Sequence, residues 1–245
     1  MVNSSLKTNI SNDISQHTAA RVTGVSLLVL MITGMSNIYF VSPGIIIPGD
    51  AVRTAHNIVS SETVFRFSIV LVLIMFNCDV IEALSLYVLL KPVNKSLALL
   101  GSFWRLGNAF IGGSFAISNF YILRLAARAD YLATFDSKQL QSLMMLFINT
   151  HEGSLIELIF FSFGMVVHGH LLVKSKYIPR ILSGLYFLAS VVLLISAFTL
   201  FVFPKAAVVI SPAFILPDFL AELSFALWLI YKGVNIPTVS TSLSK

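Results

Sequence analysis

Three ionisable residues lie inside otherwise apolar stretches of this chain, at spacings that predict a shared site. Asp79 and Glu82 are three residues apart, which puts both carboxylates on one face of a helix. In an antiparallel hairpin that turns at residues 91–94, Arg105 lies level with Glu82, and Asn108 lies level with Asp79. Ionisable groups in an apolar interior are costly, and they tend to pair or to face a cavity. The sequence therefore predicts a buried polar cluster.

Two interpretations of this cluster remain open from the sequence. One is a structural clamp, in which ion pairs hold two helices together. The other is a proton-exchanging or cation-binding pair of acids, with Arg105 as the counter-charge. Glu222, in the last apolar stretch, is predicted at a similar depth and is a further candidate member. Asp218 directly follows Pro217 and is instead predicted to cap a helix.

The histidines offer weaker candidates for metal or haem chemistry. His56, His151, Glu152 and Glu157 are predicted near one face of the membrane, where they form a candidate zinc constellation. His168 is a candidate axial haem ligand, although no second histidine is predicted at a matching depth. The chain contains no nucleotide-binding fingerprint and no nucleophile elbow. The sequence leaves the cofactor open.

Six long apolar runs must position these residues. A helix of such length can cross a hydrocarbon core of ~30 Å. With a mean hydropathy of +0.89 and 11% charged residues, a soluble globular domain is excluded. The predicted fold is an all-α integral membrane bundle of six transmembrane helices. The runs are 22–41, 64–90, 97–123, 155–173, 181–203 and 213–231.

The distribution of basic residues predicts the orientation of this bundle. Lys and Arg are concentrated in the two terminal tails and in the second and fourth connectors, which places both termini in the cytoplasm. Basic residues are not interleaved with aromatic side chains for base stacking, so no nucleic-acid partner is predicted. We divide the chain into a polar tail, 1–21, the transmembrane domain, 22–232, and a second polar tail, 233–245.

Two connectors on the opposite side are long enough to contain helices of their own. Asp50 is predicted to cap a short helix that carries Val52, Ala55 and Val59 on one side. Asp136 and Gln139 form a predicted capping box before a second amphipathic segment. These segments either lie in the membrane interface or fold over the bundle as a lid.

Small residues in the third apolar run predict close helix packing. Gly112 and Ala116, and Ser114 and Ser118, form pairs with the spacing that lets transmembrane helices approach each other. This pattern marks the run as a central helix. The predicted partners are the lipid bilayer and a small lipophilic ligand, and the chain is also compatible with a homo-oligomer.

Several short stretches, individually common, are specific in combination and order. They are Thr18–Arg21, Ile47–Ala51, Cys78–Val80, Tyr87–Asn94, Ala129–Leu132, Ser175–Leu182 and Glu222–Leu229. Over residues 18–235 the chain resembles the bacterial domain of unknown function 4386 family. The resemblance implies an uncharacterised multi-pass protein of the bacterial inner membrane, with no activity to transfer. It also implies a histidine at the position of Gly164, one turn before His168.

Three functions follow as hypotheses. The first is a protein that binds or moves a small or lipophilic solute through the intramembrane acidic and Arg cluster. The second is an intramembrane metal-dependent enzyme that acts on a lipid. The third is a structural or regulatory subunit without a site of its own. We favour the first, because the charges cluster in mid-membrane while the spacing of candidate metal ligands is poor.

Overall fold

Helices make up 86% of the residues that the computed structural model describes, and these residues form no strand. These are residues 14–149 and 151–236, without the side chains of 40, 151–153 and 206–215. The long helices are α1 (Gln16–Ser36), α4 (Glu62–Leu90), α5 (Lys95–Ala126), α7 (His151–Ser175), α8 (Arg180–Val202) and α9 (Ala207–Tyr231). The shorter ones are α2 (Ser42–Ile45), α3 (Ala51–Ser60) and α6 (Ser137–Ile148). A π-helical segment, Asn37–Val41, joins α1 to α2, and 3-10 turns lie at Asp130–Leu132 and Pro204–Ala206.

Five helical segments in the described part of the chain are long and apolar enough to cross a membrane. They are Gln16–Ile45, Glu62–Leu90, Lys95–Ala126, Ser154–Ser175 and Arg180–Val202. The predicted all-α fold is confirmed, and five of the six predicted runs lie in helices that are candidate membrane spans. The sixth run lies within α9, and its crossing of the membrane stays a prediction, as does the orientation of the termini.

The long helices pack in chain order and then close on themselves. Each packs against the next, from α4 to α5, α7, α8 and α9, while α1 packs against both α4 and α9. Turns at 91–94 and 176–179 bring consecutive helices back antiparallel at one end of this ring. The ring gives the polar residues of α4 and α5 an interior to face, with α7, α8 and α9 opposite them.

The contact between α1 and α9 depends on Gly24. A Cβ atom built at Gly24 would lie 2.8 Å from the carbonyl oxygen of Ala226 and 3.1 Å from Cβ of Leu229. Because these neighbours are backbone or adjacent to it, the two helices would have to separate. We expect Gly24→Ala to lower the free energy of unfolding by about 1–3 kcal/mol, measured by thermal unfolding in a mild detergent.

Gly184 provides the matched control for this prediction. It also lies inside a long helix, but a Cβ atom there would meet nothing within 4 Å. Gly184→Ala is expected to leave stability unchanged or to raise it by up to ~1 kcal/mol, because alanine is the better helix former. Equal losses in both variants would show that close packing at Gly24 is not what joins α1 to α9.

The two predicted amphipathic helices, α3 and α6, form at the predicted positions. Asp50 accepts a hydrogen bond of 2.9 Å from the backbone N–H of Arg53, and Asp136 and Gln139 form both bonds of a capping box, so both predicted caps are confirmed. The helices α3 and α6 contact each other and α5. Ile58 of α3 and Leu140 and Met144 of α6 are buried in one apolar cluster. The lid and the interfacial position both stay predictions.

The side of α3 that packs inward is not the one on which Val52 and Val59 lie. Val52 and Val59 are 62% and 48% exposed, whereas Thr54 and Ile58 are buried. The hydroxyl group of Thr54 donates to the carbonyl oxygen of Ile47 (3.2 Å) and accepts from its N–H (3.0 Å). These bonds connect the preceding loop to the inner side of α3. They hold Thr54 on the inward side of the helix, while Val52 and Val59 lie on the exposed side.

Candidate functional site

The turn between α4 and α5 sets the register that brings the predicted cluster together. Asn94 caps α5, since its side chain accepts a 3.0 Å hydrogen bond from the N–H of Leu97. From this turn the helices run antiparallel, so residues equally distant from it lie at the same depth. Glu82 thereby meets Arg105, and Asp79 meets Asn108.

Arg105 is the centre of the cluster and is completely buried. Its Nη2 donates to Oε2 of Glu82 at 2.5 Å, and its Nε lies 3.1 Å from Oδ1 of Asp79. Asn108 completes the arrangement by donating from Nδ2 to Oδ2 of Asp79 at 2.7 Å. The guanidinium carbon lies 4.6 Å from the ring centroid of Phe161 on α7, within cation–π distance. Arg105 is thus held from two helices.

Helices α8 and α9 add further polar groups to the same interior. Tyr186 and Glu222 are both buried, and both lie within electrostatic range of Arg105. Asp218, one turn before Glu222, is half-buried and interacts with the same guanidinium. The prediction that Asp218 caps a helix is wrong, because α9 begins at Ala207 and Asp218 lies well inside it.

Several atoms of this cluster have no hydrogen-bond partner among the described residues. They are Nη1 of Arg105, Oε1 of Glu82, Oδ1 of Asn108, the hydroxyl group of Tyr186, Oδ1 of Asp218 and Oε1 of Glu222. Buried polar groups are nearly always paired, so a set of unpaired ones at one place calls for an explanation. Both donors and acceptors remain free to contact a ligand.

His168 lies against this cluster rather than in an obvious metal site. Its ring is fully buried in α7, and neither ring nitrogen forms a hydrogen bond with a described residue. It packs on α5 at Gly101, where a Cβ atom would lie only 2.5 Å from Nε2. Gly164, one turn earlier, faces the same stretch of α5, with Arg105 N 3.4 Å from a Cβ built there. Both positions therefore point at the backbone around Arg105.

The predicted zinc constellation is only partly described. His56 is exposed on α3, while Glu157 lies within electrostatic range of Asp79 in the interior. The side chains of His151 and Glu152 lie outside the described residues. Within the described part of the chain, no group of three or more His, Cys, Asp or Glu side chains is arranged to hold a metal ion.

Charge is unevenly distributed in the cluster. Arg105 is the only buried Lys or Arg among the described residues. Four carboxyl groups, those of Asp79, Glu82, Asp218 and Glu222, surround it within electrostatic range. With all of them ionised, the acids exceed the base by three charges. In that ionisation state the interior attracts positive charge.

A groove of about 490 Å³ separates α8 and α9 on the outer surface of the ring. Its rim is formed by Leu185, Leu188 and Leu220, which are more than half exposed. Ala189 and Ala221 are buried at its floor, and Ala221 directly precedes Glu222. The groove is apolar along the outer side of α9, the helix that carries the two additional acids.

The sequence predicts the α4–α5 part of the cluster and Glu222, but not Tyr186. This residue lies in an apolar run with no charged neighbour, so only its hydroxyl group distinguished it from the surrounding residues. The inward position of Asp218 was also missed, because Pro217 suggested the start of a helix.

Comparison with known proteins gives a family without a described activity. The family model "Domain of unknown function (DUF4386)" matches residues 22–233. An uncharacterised protein of Archaeoglobus fulgidus is 30% identical over 173 residues, which cover 71% of this chain and 88% of that protein. No solved structure matches the chain.

Proposed function

Because the chain belongs to the DUF4386 family, whose description assigns no activity, we propose a function from its own site. The protein binds a small lipophilic cation inside the membrane, at the cluster of Asp79, Glu82, Arg105, Asn108 and Glu222, and moves it across. The cluster with Asp218 and Tyr186 added is called the polar core below.

The excess of carboxyl groups over Arg105 is the observation that carries this proposal. A buried charge without a partner costs several kcal/mol, on the order of the whole stability of a small domain. Arg105 is already bonded to Glu82 and Asp79. Asp218 and Glu222 are left with unpaired oxygens. A bound cation would satisfy these oxygens and compensate the remaining negative charge.

The groove between α8 and α9 supports the lipophilic character of the ligand. In a bilayer, its exposed leucine rim faces acyl chains, so a solute dissolved in the membrane can enter sideways without passing through water. An apolar body would occupy the groove, and a positive group would reach toward Glu222 behind Ala221. The apolar groove and the carboxyl group of Glu222 behind it thus favour a molecule that is both apolar and cationic.

The membrane topology is part of the same proposal. At ~1.5 Å per residue, the 25 residues of α9 are long enough to cross a ~30 Å core as the sixth span. Six spans and the asymmetry of Lys and Arg support cytoplasmic termini and a place in the bacterial inner membrane. In this orientation α3 and α6 lie on the outer side, packed against α5.

A structural role is the alternative that one observation favours. The bonds from Arg105 to Glu82 and Asp79 join α4 and α5 whether or not a ligand binds. A pure clamp, however, needs only these groups and gives no role to the unpaired carboxyl oxygens of α9.

Native mass spectrometry of the protein released from a mild detergent distinguishes these roles. After incubation with tetraphenylphosphonium, a lipophilic cation, we expect an adduct of one cation per chain. A bare protein mass over the accessible concentration range would contradict the proposal and favour the structural role. A co-purified metal or haem would contradict it as well, and would favour an enzyme.

A further inference from the structure

Asn77 is a polar side chain in the middle of α4 that faces away from the ring. It is exposed, unlike Asn108, which is buried against Asp79. Its Nδ2 donates to the carbonyl oxygen of Leu73 at 2.8 Å, whereas its Oδ1 accepts no hydrogen bond from a described residue. In a bilayer this amide would face hydrocarbon, where an unpaired acceptor is costly.

The surface around Asn77 has the shape of a helix-docking groove. A cavity of about 320 Å³ runs between α4 and α5. Leu73, Phe76, Asn77 and Val80 line it from α4, and Ala109, Phe110, Gly113, Ser114 and Ile117 from α5. A Cβ atom built at Gly113 would meet nothing within 4 Å, so the space above this glycine is open. Small and polar residues of this kind mark interfaces between transmembrane helices.

The small residues of α5 therefore lie on two different sides of the helix. Gly112 and Ala116 are buried, and a Cβ atom at Gly112 would overlap the ring of Phe76 on α4. Gly113 and Ser114 face the groove instead. The small residues that line the open groove, Gly113 and Ser114, are those next to Asn77.

From this we propose that a second copy of the chain docks in the α4–α5 groove and forms a two-fold dimer. Two copies inserted with the same orientation are related by an axis along the membrane normal, so identical residues lie at identical depth. The Asn77 side chains of the two copies then meet at the axis. A carboxamide is both donor and acceptor, and each can satisfy the other. The inference is independent of any ligand of the polar core.

Cysteine cross-linking in native membranes tests the location of this interface. In a Cys78→Ala background, which removes the single cysteine, new cysteines are placed at groove positions as Val80→Cys, Phe110→Cys and Ser114→Cys. Ile195→Cys on the exposed face of α8 is the control, because it lies at a comparable depth, about 15 residues from the same end of the ring. At least one groove cysteine should yield an oxidised dimer in several-fold excess over the control.

The role of Asn77 is tested by dilution of the full-length protein in a mild detergent. Asn77→Leu should weaken the dimer about 10-fold, the size of an interhelical polar contact in membranes. Asn77→Gln, which keeps the carboxamide, should lose less. Both changes are at an exposed site, and helicity and elution profile report that the fold is intact. Unchanged dissociation in Asn77→Leu, groove cysteines that cross-link no better than Ile195→Cys, or a monomer with a lipid in the groove would each overturn the proposal.

Discussion

Arg105→Gln is expected to be the most destabilising single substitution in this protein. It leaves Glu82 and Asp79 buried without the cation that both contact. Removing one partner of a buried ion pair costs about 3–5 kcal/mol, because the other charge remains uncompensated. Chemical or thermal unfolding in one detergent, followed by the loss of helical signal, measures this effect.

Arg66→Gln is the matched control, because Arg66 also forms an ion pair with a glutamate of α4. Arg66 bonds to Glu62 at 2.7 Å, but these side chains are 50% and 45% exposed. An exposed ion pair of this kind contributes about 0–1 kcal/mol. A loss at Arg105 no larger than the loss at Arg66 would show that burial does not govern the cluster.

The double variant Arg105→Gln with Glu82→Gln tests whether the loss of stability arises from the uncompensated buried charge. It removes one base and one acid together, so the charge balance of the polar core is the same as in the wild type. Part of the stability lost in Arg105→Gln should therefore return. No recovery would indicate that Arg105 acts by its packing against Phe161 rather than by its charge.

The second large effect is expected on ligand binding. Asp218→Asn combined with Glu222→Gln should weaken the binding of tetraphenylphosphonium about 100-fold, or ~2.7 kcal/mol, which is within the range for the loss of contacts to charged groups. Both substitutions retain size and shape, and the α4–α5 pairing of Arg105 is untouched. Equilibrium binding to protein in nanodiscs of uncharged lipid measures the affinity.

Glu62→Gln is the control for this double variant. It removes one carboxylate from an exposed position far along α4 from the polar core. The control should bind the cation as the wild type does. Equal binding by the double variant and the control would show that the acids of α9 take no part in the site.

The contacts between α4 and α5 could be predicted from the sequence because a short turn fixes their depth. Only four residues, 91–94, separate the two helices. Each residue of α4 then has one counterpart on α5, and the pairs Glu82–Arg105 and Asp79–Asn108 follow by counting. The caps of α3 and α6 could be predicted for a similar reason, since a cap depends on residues within one turn.

The contributions of α8 and α9, apart from Glu222, could not be obtained in this way. Which side of each helix faces the interior depends on how the ring closes. When lipid surrounds the protein, both sides of a helix are apolar, so the apolar pattern does not show which side faces the interior. Tyr186 and Asp218 face inward because α9 returns to α1 and packs on α8. The same reason explains α3, where the bonds of Thr54 rather than the positions of Val52 and Val59 set the inward face.

Charge selectivity is the most direct test of a cation site in the polar core. Tetraphenylphosphonium and tetraphenylborate have almost the same size and shape and opposite charge. We predict that the wild-type protein in nanodiscs of uncharged lipid binds the cation saturably, and that the borate neither binds at the same site nor displaces it. Equal binding of the two ions, or saturable binding of the borate alone, would contradict the account.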